Sequence, residues 1–213
     1  MIIVSASFKD NHALSAEFAF CAPDPKTHCT LGANRNPHLS WSNVPAGTKS
    51  LALICHDPDV PSKSDDLNQE GRIIPASLPR VNFYHWLMVD LDPATVEIQA
   101  GEFSDGVGVR GKAGPSVPNN PLSMRHGIND YTEWFAADND MSGDYFGYDG
   151  PCPPWNDSIV HHYVFTLYAL DVAKCEVSGA FKGADVLAAI KGHVLAEARI
   201  TGLYSLNPAV PAG

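Results

Sequence analysis

The chain of 213 residues is 45% apolar and 18% charged, which is ordinary for a globular protein and excludes a disordered one. Its 14 basic and 24 acidic residues give a formal net charge of −10 without any basic cluster, so we expect no nucleic-acid partner. No apolar run approaches the roughly 18 residues of a membrane-spanning helix, so we expect no stable membrane insertion.

Short apolar or aromatic runs between turn residues predict β-strands along most of the chain. The run LALIC is too short for a helix and is followed by HDPDVP at 56–61, whose prolines and aspartates predict a loop. The run HHYVFTLYALDV is apolar or aromatic on both faces and gives the strongest strand pattern. In chain order the predicted strands are residues 39–42, 51–55, 83–91 and 161–172.

The segments between these strands have the composition of loops with little helix. Residues 62–80 are polar and mixed and predict a surface excursion, and the glycines and prolines of 101–127 predict irregular backbone. Residues 130–137 predict one or two helical turns, with Asp130 as N-cap and Glu133 completing a capping box.

Near the C-terminus the apolar period changes from that of a strand to that of a helix. An apolar stripe over residues 183–200 predicts an amphipathic helix with Gly202 after its end, and His193 with Glu197 as an i,i+4 pair. No repeat or linker divides the chain. We therefore predict a single mainly-β domain over 1–213, an antiparallel β-sandwich or barrel with the C-terminal helix packed on one side.

The five cysteines are an odd number, and no charged region precedes the short apolar start of the chain. We interpret them as free thiols in a reducing cytoplasm. No C-x-x-C pair is present and the spacing fits no zinc pattern, so we expect no metal and no cofactor. The cysteines are Cys21, Cys29, Cys55, Cys152 and Cys175.

Three junctions between loop and strand share histidine, aspartate, glycine and proline. Asp57 and Asp59 follow the strand at 51–55, His85 opens the hydrophobic part of the next strand, and His161 follows the GPCPP segment at 150–154. If the three strands are neighbours, these side chains share one small cavity. Imidazole nitrogens can donate to an anion, and a carboxylate beside each ring can orient it.

The GPCPP segment and its surroundings favour an anion as the guest of that cavity. Gly147 and Gly150 allow backbone N–H groups to approach an anion closely, and the prolines stiffen the rim. Each of these residues also has an ordinary structural interpretation when taken alone. The aromatic side chains expected to form the walls are Trp86, Tyr145, Phe146, Tyr148 and Trp155.

As an ordered set, four stretches of the chain resemble the phosphatidylethanolamine-binding protein family, in its bacterial Raf kinase inhibitor-like branch. The resemblance implies a sandwich of antiparallel sheets and a pocket for phosphate-like anions and phospholipid head groups. It also implies a homodimer as a common assembly. The matching stretches are residues 34–61, 83–93, 146–172 and 192–206.

The resemblance also implies which residues form the pocket. The family usually has arginine where this chain has His162, a change expected to weaken anion binding or make it depend on pH. The stretch 62–82 is longer than in compact members and is expected to reshape the pocket mouth. The implied ligand-binding residues are Asp57, Asp59, His85, Gly150, Pro151, His161 and Tyr163.

Three functions remain open from the sequence. The leading hypothesis is non-catalytic binding of a small anionic ligand, phosphate or a phosphoethanolamine-like head group. A second is inhibition of a kinase or protease partner through surface loops, as the resemblance suggests. A third is hydrolysis by the histidines and aspartates, although the sequence has no G-x-S-x-G motif, P-loop or dinucleotide fingerprint.

Overall fold

Thirteen strands and two short α-helices follow one another in the computed structural model, which describes residues 1–117 and 124–213. The helices are α1 (Tyr131–Trp134) and α2 (Gly183–Ile190), and a 3-10 turn covers Ala16–Phe18. The strands are β1 (Ile2–Val4), β2 (His12–Ala13), β3 (Cys21–Asp24), β4 (His28–Leu31), β5 (Leu39–Ser42), β6 (Ser50–Pro61), β7 (Arg80–Leu91), β8 (Glu97–Ile98), β9 (Gly111–Lys112), β10 (Arg125–His126), β11 (Asp144–Tyr145), β12 (His161–Leu170) and β13 (Val194–Tyr204).

The main sheet has six strands in the order β10-β7-β6-β12-β13-β2. Its four long strands are antiparallel neighbours, with Phe165 of β12 opposite Cys55 of β6 on one side and Ile200 of β13 on the other. A smaller sheet has the order β1-β5-β8. Long apolar strands form the centre of the main sheet because both of its faces are covered.

The two faces of the main sheet pack against different partners. One face joins residues of the smaller sheet, such as Trp41, in a large apolar core that includes Trp86 and Phe165. The other face packs Leu87 and its neighbours against Val186 and the rest of the apolar side of α2. The predicted mainly-β fold with a helix on one side is confirmed. Among the described residues, no helix is long and apolar enough to cross a membrane.

The predicted helix over 183–200 is wrong in its second half. Helix α2 ends at Ile190, the chain turns at Gly192 with φ of +87°, and β13 begins at Val194. From Ala196 onward, alternate residues of β13 face the core, a period of two that is typical of a strand. The predicted helix therefore combined a short helix with the start of strand β13.

Two smaller expectations about this region are also wrong. Gly202 lies inside β13 opposite Tyr163, not after a helix. His193 and Glu197 do not form a helical pair, because Nδ1 of His193 lies 2.8 Å from a carboxylate oxygen of Asp171. Both errors follow from treating one stretch of chain as one element.

The helical turn predicted at 130–137 is present as α1, but its capping box is not. The Asp130 carboxylate makes no capping bond and accepts the backbone N–H of Tyr84 at 2.7 Å. The irregular stretch predicted at 101–127 includes the short strands β9 and β10. Its prolines at 118 and 121 lie outside the described residues.

Candidate functional site

The predicted loop at 56–61 is instead the end of strand β6, and this places the candidate site. The pairing of β6 with β7 shifts between Asp57 and Val60, so the strand accommodates Pro58 within an irregular register. Strand β6 therefore continues past its apolar half and carries Asp57 to the place where β7 presents His85.

A cavity of about 370 Å3 lies at this end of the sheet. Four of the predicted site residues line this cavity, and they come from the central strands β6, β7 and β12. For these four residues, the expected convergence of the three strands is present. Asp59, Gly150 and Pro151 are not part of the lining. The four polar lining residues that were predicted are Asp57, His85, His161 and Tyr163.

His161 is held on both sides by carboxylates. Its Nδ1 lies 2.7 Å from Oδ2 of Asp57, and its Nε2 lies 3.1 Å from Oδ2 of Asp157. Burial alone lowers the pKa of His161, but the hydrogen bonds to Asp157 and Asp57 outweigh it and raise the pKa to about 9. The ring is therefore a cation at neutral pH, and both of its N–H groups are already donated within the protein.

Arg80 completes this buried network from the start of β7. Its guanidinium donates to both carboxylate oxygens of Asp157, at 2.5 and 3.0 Å, in the two-pronged geometry that favours arginine. The resulting chain of charges runs from Asp57 through His161 and Asp157 to Arg80. Two carboxylates and two cations balance, as buried ions require.

His85 is the histidine with a ring nitrogen available to a ligand. Its Nδ1 lies 2.8 Å from the carbonyl oxygen of Asp149, which can only accept, so Nδ1 carries the hydrogen. Burial lowers the pKa of His85 to about 4, so the ring is neutral and Nε2 is a hydrogen-bond acceptor. The prediction that Asp57 or Asp59 orients this ring is wrong, because a backbone carbonyl does so.

Asp59 contacts His162, next to His161 in the chain, and does not line the cavity. Its Oδ2 accepts the backbone N–H of His162 at 2.9 Å and lies 2.7 Å from Nδ1 of the same ring. His162 stands where the family resemblance expects arginine. The Arg80 guanidinium, from strand β7, donates to the carbonyl oxygen of Asp59 at 2.8 Å.

Tyr163 adds a free polar group at the same end of the cavity. Its ring centroid lies 5.1 Å from that of His85, and the side chain is almost fully buried. In the described part of the chain its hydroxyl has no hydrogen-bond partner. Burial and the nearby Asp57 carboxylate raise the pKa of Tyr163, so the hydroxyl stays protonated and can donate to a ligand.

The predicted nest of backbone amides at Gly147 and Gly150 does not form. The Gly147 N–H donates to the carbonyl oxygen of Gly127 at 3.1 Å, and the Gly150 N–H donates to Oδ1 of Asn34 at 2.8 Å. Glycine is required at 150 because a Cβ there would lie 2.0 Å from the carbonyl oxygen of Phe18. Pro151 accepts the Cys21 N–H at 3.0 Å, which leaves residues 152–154 to form the cavity wall.

A disulfide joins this wall to strand β3. Cys21 and Cys152 are bonded across 131 residues of sequence, and both line the cavity. The interpretation of all five cysteines as free thiols is therefore wrong for this pair, while Cys29, Cys55 and Cys175 are free. The cytoplasmic location relied partly on that interpretation, and it stays a prediction that the disulfide does not support.

The aromatic walls of the cavity differ from those predicted. Trp86, Tyr145 and Tyr148 lie in the main core, and Trp155 stacks on His28 with ring centroids 3.9 Å apart. Sequence reasoning missed most of the actual wall because, apart from Phe83, its aromatic residues come from segments outside the three junctions. The aromatic residues that line the cavity, apart from Tyr163, are Phe20, Phe83, Tyr131, Trp134 and Phe135.

The surface excursion also reaches the cavity. Leu67 and Asn68 form part of the lining, as expected for a segment that reshapes the mouth. The side-chain oxygen of Asn68 accepts the backbone N–H of Trp155 at 3.0 Å. The backbone N–H of Asn68 donates to Oδ1 of Asn156 at 3.0 Å. These bonds fix the excursion against the loop that precedes β12.

No metal centre accompanies this network in residues 1–117 and 124–213, where no group of three or more histidines, cysteines or carboxylates is arranged to hold an ion. The fold and the site together define a β-sandwich protein with a cavity at one end of its central strands, polar where those strands end and apolar elsewhere.

Comparison with known proteins identifies the family. The family model described as phosphatidylethanolamine-binding protein matches residues 4–205. A UPF0098 protein of Methanothermobacter thermautotrophicus is 37% identical over 84% of this chain and 89% of its own length. The Escherichia coli UPF0098 protein YbhB is 32% identical over 82% of this chain and 84% of its own.

A solved structure agrees with these relatives. The crystal structure of Escherichia coli YbcL, described as a new member of the mammalian PEBP family, superposes with a TM-score of 0.67 at 26% identity. The match covers 96% of this chain and 97% of that one. The chain belongs to the phosphatidylethanolamine-binding protein family.

Proposed function

We propose that the protein is a non-catalytic binding module for a phosphate-type head group carried on an apolar body. The observation that carries this proposal is the state of His85, a neutral imidazole with Nε2 free, at the polar end of a cavity that is otherwise apolar. The hydrogen that Nε2 accepts can come from a protonated phosphate monoester or from the ammonium of an ethanolamine phosphodiester, and the Tyr163 hydroxyl can donate to a phosphate oxygen.

The charges around the cavity are compatible with an anionic head group. Asp57 alone would repel an anion, but its charge is matched by His161 at 2.7 Å. The second carboxylate of the network, Asp157, is matched by Arg80 in the same way. A head group at His85 therefore faces a locally neutral wall, and its donor hydrogen, on a phosphate monoester or on an ammonium, supplies the attractive contact.

The rest of the lining favours an apolar body attached to the head group. Aromatic rings, prolines and aliphatic side chains form most of the wall, and burying them against a hydrocarbon is favourable at about 25 cal/mol per Å2. The matching family is named for phosphatidylethanolamine, a molecule with this combination of head group and apolar body. A free phosphate ion would leave the apolar wall unused.

The other two functions receive less support from these contacts. A hydrolase needs a side chain that moves a proton near neutral pH. Both nitrogens of His161 are committed to carboxylates, and burial lowers the pKa of His85 to about 4, which makes it a weak base. The described lining contains no serine, threonine or free thiol to act as a nucleophile. No particular surface contact favours the inhibitor hypothesis, which stays a prediction from the resemblance.

Thermal melts in the presence of phosphate, phosphoethanolamine, acetate and a short-chain phosphatidylethanolamine test the proposal. At roughly 100 times Kd, a ligand should raise the Tm of the wild type by roughly 5–10 °C. We expect this shift for phosphate and phosphoethanolamine at high concentration, and for the lipid at a much lower concentration, since only the lipid uses the apolar wall.

Two variants show whether the cavity is responsible. His85→Ala should abolish the shifts, while His193→Ala, which removes an imidazole paired with Asp171 away from the cavity, should retain them. Equal shifts in wild type and His85→Ala would reject the assignment. A lipid that binds no more tightly than phosphoethanolamine would reject the apolar body.

A further inference from the structure

Asp149, whose backbone carbonyl holds the ring of His85, also has a completely buried carboxylate. The two residues are bonded in both directions. Nδ1 of His85 donates to the carbonyl oxygen of Asp149 at 2.8 Å, and the Asp149 N–H donates to the carbonyl oxygen of His85 at 3.0 Å. The Asp149 carboxylate is 0% exposed and does not line the cavity. A buried carboxylate is costly unless it is compensated, so the position of this carbonyl depends on the partners of the carboxylate.

Three donors from separate segments of the chain surround the Asp149 carboxylate. Nζ of Lys112, in strand β9, lies 3.0 Å from Oδ1 and supplies the positive charge. The side-chain amide of Asn34 donates to the same oxygen at 2.8 Å, and that of Asn129 donates to Oδ2 at 2.8 Å. Both oxygens are therefore occupied within the protein, and this side chain acts on the cavity only through the backbone to which it belongs.

Two of these donors also bind the backbone just before Asp149. Nζ of Lys112 donates to the carbonyl oxygen of Tyr148. The side-chain amide of Asn129 donates to the carbonyl oxygen of Gly147 at 3.1 Å. Because each side chain joins the buried carboxylate to a neighbouring carbonyl, the peptide that accepts the imidazole hydrogen cannot move without breaking several buried bonds.

We propose that Lys112 is a positioning residue for His85 and that, through Asp149, it makes the site specific for head groups that carry a donor hydrogen. Lys112 does not line the cavity, so it does not select the ligand by contact. Because the same imidazole is involved, this specificity rests on the proposed function. It adds a residue outside the cavity that decides which hydrogen-bonding role Nε2 has.

The role of Nε2 of His85 depends on where the ring hydrogen resides. A neutral imidazole carries one hydrogen, and a carbonyl oxygen at Nδ1 keeps it there, so Nε2 stays an acceptor. Phosphate at neutral pH carries at least one hydrogen, whereas sulfate has the same shape and carries none. A site built around a hydrogen bond rejects the analogue that cannot form it. The wild type should therefore distinguish these two ions.

Lys112→Met removes the charge and retains an unbranched apolar side chain. The buried carboxylate of Asp149 then lacks its cation, and the carbonyl oxygen of Tyr148 lacks this donor. Burial already raises the pKa of Asp149, and Lys112 opposes that rise more than either asparagine does. The variant should therefore release the carbonyl at Nδ1, and the His85 ring should populate both neutral tautomers.

Nitrogen-15 NMR of the free full chain and calorimetric titration with inorganic phosphate and with sulfate at neutral pH test the proposal. The wild type should carry the His85 hydrogen on Nδ1 and bind phosphate at least about tenfold more tightly than sulfate. Lys112→Met should show both tautomers and a Kd ratio close to one, because an Nε2–H group donates to either ion. Lys112→Arg, which retains the charge, should keep the wild-type spectrum and most of the preference.

Arg125 provides a matched control for the loss of a buried ion pair. Its side chain and that of Asp90 are 16% and 6% exposed, while those of Lys112 and Asp149 are 20% and 0% exposed. Neither Arg125 nor Asp90 lines the cavity. Arg125→Met should therefore lower the Tm in thermal melts, as Lys112→Met does, but leave the His85 spectrum and the preference for phosphate unchanged.

The outcomes separate failure of the positioning role from failure of the binding site. A wild type that binds neither ion would overturn the proposed function and this specificity with it. A wild type that prefers phosphate, with a folded Lys112→Met variant that keeps the wild-type spectrum and preference, would overturn the positioning role alone. Equal changes in Lys112→Met and Arg125→Met would also reject that role. If Lys112→Met does not fold, Lys112→Gln, which keeps a donor for the Tyr148 carbonyl, replaces it with the same expected results.

Discussion

Asp57 and His161 are joined by a 2.7 Å hydrogen bond although 104 residues separate them in the chain. Their side chains are 1% and 0% exposed. Strands β6 and β12 are antiparallel neighbours, so the end of one meets the start of the other, and the bond follows from the sheet order. It makes His161 a cation that belongs to the protein's own network and leaves His85 as the imidazole for a ligand.

The first prediction concerns stability in alkaline solution. The pKa of His161 is raised from 6.5 to about 9 in the folded protein. Its contribution to the free energy of unfolding is therefore fully present below pH 6.5 and is lost as pH rises through about 9. The free energy of unfolding should fall by a few kcal/mol over this interval. Denaturant unfolding at a series of pH values measures it.

The matched variants for this experiment are His161→Gln and His193→Ala. The first should be less stable at neutral pH, because it leaves Asp57 and Asp157 without their shared cation, and it should lose the alkaline slope. The second should keep the slope. An alkaline slope that persists without His161 would show that another group is responsible.

A second prediction concerns Arg80. Arg80→Ala removes the guanidinium that holds both oxygens of Asp157 and should cost about 3 kcal/mol, the lower end for a buried pair because His161 still contacts Asp157. Arg80→Lys should recover only part of this, because an ammonium cannot reproduce the two parallel bonds. Urea unfolding of the three proteins measures the difference, and equal stability of all three would contradict it.

A third prediction separates the two aspartates of β6. Asp57→Asn removes a negative charge from the cavity wall and leaves the His161 and Arg80 cations facing Asp157 alone, so it should strengthen binding of phosphoethanolamine several-fold. Asp59→Asn affects the exposed His162 and lies outside the lining, so it should change the affinity less than twofold. Calorimetric titration compares them, and equal changes in both variants would contradict the different placements.

A fourth prediction concerns the disulfide. Unfolded protein without reductant should show three reactive thiols, those of Cys29, Cys55 and Cys175, and five after reduction. Cys152→Ser should lower stability by about 2–4 kcal/mol, because the bond closes a long loop. Thiol titration and denaturant unfolding provide the two measurements. Five reactive thiols before reduction would contradict the pairing.

A fifth prediction concerns the pH dependence of binding. Burial holds the pKa of His85 at about 4 in the free protein, so an anion at Nε2 needs a proton from itself or from solvent. Affinity for phosphoethanolamine should therefore rise as pH falls from about 8 to about 6, with net proton uptake. Titrations in buffers of different ionisation enthalpy detect that uptake, and proton release on binding would contradict the prediction.

The sequence predicts the strand centres because apolar runs and turn residues are local properties. The strand at 39–42 coincides with β5, and the runs at 83–91 and 161–172 lie within or over β7 and β12. Chain order alone does not give the neighbours of a strand. The sequence-based argument therefore states the convergence of His85 and His161 only as a condition, and the sheet order meets it.

The hydrogen-bond partners of the site were beyond sequence reasoning. Asp157 follows a turn segment and has no pattern that marks it, yet it contacts both His161 and Arg80. The disulfide joins residues far apart in sequence, so spacing could not reveal it. The amide of Gly150 is taken by Asn34, a contact that depends on the packing of a distant loop.

The imidazole nitrogens of His85 provide the most direct test of the binding site. Nitrogen-15 NMR of the free protein at neutral pH should show a neutral His85 ring with the hydrogen on Nδ1 and a bare Nε2. Addition of phosphoethanolamine should move Nε2 toward the frequency of a protonated nitrogen and leave the already charged His161 almost unchanged. Saturation that shifts His161 while His85 stays unchanged would contradict the account.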